Sequence, residues 1–129
     1  MIYDLPMIAE LCNELGYEEV ESSSDAVEVN LFKNVTLVFK NIDNCTDSLM
    51  GFLGTPWHTH GDIMFSGQEG RYIEMTYLDV VSGIKEGKVL VCELHNNEIL
   101  KDRYLVHKDL VDEFKYMEPG DEIRVRKIA

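Results

Sequence analysis

Two histidines and a carboxylate stand at alternate positions in the segment Gly54-Thr55-Pro56-Trp57-His58-Thr59-His60-Gly61-Asp62. On an extended backbone, side chains two apart point to the same side, so His58, His60 and Asp62 would converge. Two imidazoles and a carboxylate form part of a ligand set for Zn²⁺, Fe²⁺ or Mn²⁺. A further donor would come from Glu69, Glu74, Glu93, His95 or His107, and an open coordination position would activate water for hydrolysis. One expectation is therefore a small metal-binding protein or metal-dependent hydrolase built on His58, His60 and Asp62. A His-x-His pair is a weak motif, however, and loop histidines also serve by hydrogen bonding to the backbone. In that reading no cofactor is expected.

A second chemistry lies in the charge. The chain carries 24 acidic and 12 basic residues, a net of −12. The imbalance is uneven, since residues 1–32 hold eight carboxylates and no Lys or Arg. An acidic surface repels phosphate backbones, so nucleic acid is excluded as the expected partner. It attracts and steers a basic protein instead. The carboxylates Glu18, Glu19, Glu21 and Asp25 are the candidate contacts, with Trp57 as a candidate anchor because tryptophan is enriched at interface hot spots. The leading expectation is a small acidic binding module without catalysis, of the inhibitor or immunity type, that masks a basic partner. Acidity that merely maintains solubility is the plainer alternative.

The elements that must position these groups fit within one domain. At 129 residues the chain is long enough to bury a core without disulfides or metals. Its three cysteines, Cys12, Cys45 and Cys92, are far apart and odd in number, as expected of reduced thiols. No apolar run approaches the about 18 residues of a membrane span. Met1-Ile2-Tyr3-Asp4 has no basic stretch leading into an apolar one, so the expected location is the cytoplasm.

Leu5, Ile8, Cys12 and Leu15 recur at helical spacing and predict a helix over 5–15, capped by Asp4 and stopped by Gly16. Glu21-Ser22-Ser23-Ser24-Asp25 reads as a polar break. β-Branched and aromatic residues predict strands over 26–32 and 35–40, joined by a Lys33-Asn34 turn. Further strands are expected over 71–77, 88–95, 98–106 and 122–128, with Asn96-Asn97 as a hairpin turn. Short helices are expected over 80–86, with Asp79 as cap and Gly87 as stop, and over 110–117. Residues 41–70 hold five of the nine glycines and no clear periodicity, so they read as one long Gly-rich loop. His95 and His107 read as surface positions. The expected fold is α+β, a mostly antiparallel sheet of about five to six strands with an N-terminal helix and two short helices.

Overall fold

The computed structural model describes residues 2–110 and 118–126. It has an α+β architecture in which every strand pairing is antiparallel. Helix α1 spans Leu5–Glu14, and the Asp4 carboxylate accepts the Met7 amide at 3.2 Å as its cap. Gly16 follows at φ +85°, a left-handed conformation that most side chains resist. The helix buries Leu5, Ile8 and Cys12, the face its spacing predicts.

Next come strands β1 (Glu19–Ser22), β2 (Ala26–Phe32), β3 (Val35–Ile42), β4 (Asp47–Phe52) and β5 (His58–Thr59), which form one sheet in that order. A two-stranded sheet pairs β6 (Ile63–Ser66) with β7 (Tyr72–Met75). Helix α2 (Tyr77–Glu86) leads into a three-stranded sheet of order β10-β8-β9, from β8 (Val89–Asn96), β9 (Ile99–His107) and β10 (Asp121–Arg126). The core is built from Ile8 and Cys12 of α1, Val27, Val29, Leu37, Phe39 and Met50 of the large sheet, and Val80, Val81 and Ile84 of α2. Val89, Val91 and Leu105 join it from the three-stranded sheet, so both sheets share one apolar interior.

Several expectations are corrected. The sheet of five to six strands is instead ten strands divided among three sheets, among the described residues. Residues 41–70 are not one loop, because they hold the end of β3 and all of β4, β5 and β6. Their periodicity is hidden by two positions. Ser48 fills a core-facing place with a polar side chain that is fully buried. Gly51 sits where an added Cβ would lie 2.9 Å from the Trp57 carbonyl oxygen, so β5 can pair this closely only against glycine. The β3–β4 turn is also unusual, with Asp43, Asn44 and Cys45 all at positive φ.

Helix α2 begins at Tyr77 rather than 80, since the Thr76 hydroxyl accepts the Asp79 amide at 3.1 Å and serves as the cap in place of Asp79. The β8–β9 turn is Asn97-Glu98, both at positive φ, one residue later than expected. Of the expected helix over 110–117, Leu110 ends a short 3₁₀ turn and residues 111–117 lie outside the described residues. The two α-helices among the described residues are thus α1 and α2. None is long and apolar enough to cross a membrane.

Candidate partner-binding face

The five-stranded sheet has one face against the core and one face turned away from it, whose residues are mostly half-buried. On β2 the residues Val27, Val29 and Leu31 are buried, while Glu28 and Asn30 point the other way. Register carries that alternation across the sheet. Val20 is opposite Val29, so it faces inward, and Glu19 and Glu21 must face outward. Glu21 is directly opposite Glu28, and Glu19 is opposite Asn30. The outer row then runs from Glu28 to Val38, Gly51 and His58.

Glu19, Glu21, Glu28, Asn30 and Thr36 line a shallow cavity of about 100 Å³. That is about three waters' share of liquid volume, with three carboxylates around it. Like charges directly opposite each other on neighbouring strands are destabilising. Among the described residues none of Glu18, Glu19, Glu21 or Glu28 forms an ion pair that would offset this. Asp25 accepts a hydrogen bond from the Ser23 hydroxyl at 3.0 Å in the β1–β2 turn. Glu18, exposed, immediately precedes β1. Glu28, Asn30 and Thr36 complete this face and escaped sequence reading. Glu28 alternates visibly within its strand, but its neighbour Glu21 belongs to a strand whose composition resembles a loop.

Trp57 stands at the far side of this sheet. It immediately precedes β5, four strand spacings from β1, or about 19 Å. Its amide donates to the Asp102 carboxylate at 2.9 Å, and its ring packs 6.0 Å from Phe52. Half-buried between the two apolar clusters, it joins the large sheet to the three-stranded one. The structure therefore does not bring Trp57 together with the four acids.

His58 and His60 are brought together, with ring centroids 5.3 Å apart, edge to face. Nδ1 of His58 lies 3.0 Å from the Pro56 carbonyl, and Nδ1 of His60 lies 2.9 Å from the Ser48 carbonyl. A carbonyl only accepts, so each Nδ1 carries a hydrogen, which leaves Nε2 as the only ring nitrogen that could offer a lone pair. Asp47 adds a carboxylate 3.1 Å from Nδ1 of His60. Asp62 goes elsewhere, since its carboxylate accepts the Tyr77 amide at 3.0 Å and ties the turn before β6 to the start of α2. Among the described residues no group of three or more His, Cys, Asp or Glu is arranged to hold a metal ion.

His95 and His107, expected at the surface, are largely enclosed. His107 accepts the Asp109 amide at Nδ1 and meets Phe65 edge-on, in a cleft of about 290 Å³ that Trp57, His58 and Tyr104 also line. His95 lies beside Glu93, a carboxylate only 4% exposed. Arg103 Nε donates to Glu93 at 2.7 Å, and Arg126 and His95 each approach it at 3.4 Å. Burial alone would raise the Glu93 carboxyl. The hydrogen bonds from Arg103 and His95 and the charges of Arg103 and Arg126 outweigh burial and hold it below the usual carboxylate range.

A carboxyl depressed in the folded state adds stability above its unfolded value, and that stability is lost as pH falls through the folded value. Thermal unfolding of the native chain is accordingly expected to lose stability below about pH 4.5 more steeply than Glu93→Gln, which has no such proton to bind. Parallel slopes in calorimetry of the two proteins would contradict this. Compared with known proteins, the chain matches no family model, no curated protein and no solved structure.

Proposed function

We propose that this protein is a small acidic binding module that masks a basic protein partner, in the manner of an inhibitor or immunity protein, through the outer face of its five-stranded sheet. The observation that carries the reading is the Glu21–Glu28 pair with Glu19 beside it. Three carboxylates are held together on the outer sheet face, and among the described residues none of them forms an ion pair, although Lys40 stands two residues beyond Val38, the strand partner of Glu28, on the same face. Folding gains nothing from that repulsion, and a Lys or Arg from another protein relieves it. Glu18, which precedes β1, and Asp25, in the turn after it, extend the same negative field and raise the rate of encounter.

The triple variant Glu19→Gln, Glu21→Gln, Glu28→Gln tests this. Removing three charge contacts of about 0.5 kcal/mol each is expected to weaken binding of a lysine-rich peptide about tenfold at low salt. The difference should shrink as salt rises, because exposed charges are screened. The variant itself should unfold at the same or slightly higher denaturant concentration. Equal affinity of the two proteins at low salt, measured by fluorescence anisotropy, would remove the acidic face from the account.

A second reading rests on His58 and His60. Both rings have Nδ1 held by a backbone carbonyl, the arrangement that orients Nε2 ligands in metal sites. Two donors fall short of a closed site, so a Zn²⁺, Fe²⁺ or Mn²⁺ ion here would need donors from a partner or from water. Zinc-induced shifts of both imidazoles, lost in His58→Ala with His60→Ala, would support it. Unchanged imidazole resonances at saturating zinc would end it.

A further inference from the structure

We infer that the basic partner engages this protein by adding an extended, cationic strand to the open edge of β1, an inference that rests on the acidic-face reading above. Strand β1 terminates the five-stranded sheet, with β2 on one side and, among the described residues, no strand on the other. Main-chain N–H and C=O groups along such an edge template the pairing of another chain. Glu18, Glu19, Glu21 and Ser22 are all exposed along it.

An open edge also invites a second copy of the same chain. Charge decides between the two occupants. Pairing of β1 with β1 would set the glutamates of one copy against those of the other, which is unfavourable on neighbouring strands. A strand with Lys or Arg at alternate positions turns the same side chains into attractive partners. The edge therefore rejects itself and admits a cationic strand, an attractive and a repulsive element in one surface.

Register specifies the strand further. Glu19 and Glu21 are the outward residues of the four-residue β1, so the added strand presents two cationic side chains on that face. Glu28 lies one strand further in, about 4.8 Å from β1, within reach of a lysine or arginine stem. On the inner face Val20 is half-buried and α1 packs beside it, which favours small apolar residues at the intervening positions. The ligand class is an extended segment that alternates Lys or Arg with Val or Thr.

The test uses a capped peptide of alternating Lys and Val and two derivatives, each N-methylated at one alternate set of backbone amides. Only alternate amides of an added strand face its neighbour. One derivative is therefore expected to bind about tenfold more weakly and the other within about twofold of the parent, with both contrasts measured by titration. The parent peptide should also slow hydrogen exchange of amides in Glu19–Ser22. If both derivatives match the parent, or both weaken alike, strand addition is wrong while the acidic face stands. If the parent binds the triple Glu→Gln variant as tightly as the native protein, the acidic-face reading itself fails. A dimer that buries β1 and excludes the peptide would show a second copy to be the occupant.

Discussion

Arg103→Met is expected to destabilise the protein by about 3–5 kcal/mol, because it leaves the Glu93 carboxylate enclosed without its closest cation. Glu93 has 5% of its side chain exposed and Arg103 has 12%, so water can replace neither partner well. Arg126 also approaches Glu93, but at 3.4 Å against 2.7 Å for Arg103, and its own side chain is 39% exposed. The double variant Glu93→Met, Arg103→Met removes both charges and should recover most of the loss, as apolar replacement of buried pairs commonly does. Urea unfolding of the three proteins separates the cases. Equal midpoints for the native protein and Arg103→Met would show that the pair is effectively solvated.

Phe39→Ala carries an expected cost of similar size, about 3–5 kcal/mol for a fully buried aromatic. Phe39 has no exposed surface and lies at the centre of the shared core. Its ring meets Tyr3 edge to face at 5.7 Å. The Tyr3 hydroxyl in turn donates to the Gly61 carbonyl at 2.6 Å, and burial pushes its own pKa up to about 12. The cavity left by Phe39 thus lies under both the start of α1 and the turn between β5 and β6. Denaturant unfolding monitored by far-ultraviolet dichroism should show the loss as a single lowered midpoint. A change below about 1 kcal/mol would mean that the core collapses freely around the vacancy.

What the sequence made legible follows from how local each signal was. Helix α1 was readable because its apolar spacing, its Asp4 cap and its Gly16 stop agree with one another. Strand β2 was readable from end to end, since alternation and β-branched residues coincide. Strand β4 was hidden by Ser48 in the core and Gly51 against the Trp57 carbonyl, two positions whose residue types are set by tertiary packing rather than by strand alternation. Strand β1 was hidden because an exposed acidic edge has the composition of a loop. The candidate site shows the same division. Glu19 and Glu21 were recognisable as charges, but their placement opposite Glu28 depends on strand register. The rings of His58 and His60 lie 5.3 Å apart, whereas Asp62, expected beside them, is drawn off by the Tyr77 amide, a contact across 15 residues. His95 and His107 looked exposed beside turns and are enclosed by tertiary packing instead.

The central claim is that the outer face of the five-stranded sheet, around Glu19, Glu21 and Glu28, is where a basic partner sits. The most direct measurement is a ¹⁵N–¹H chemical-shift map of the native protein titrated with the alternating Lys–Val peptide. The account predicts saturable shifts concentrated in residues 18–30 and in Thr36 and Val38. Shifts that centre instead on the Trp57–His107 cleft, or that spread evenly over every carboxylate of the chain, would contradict it.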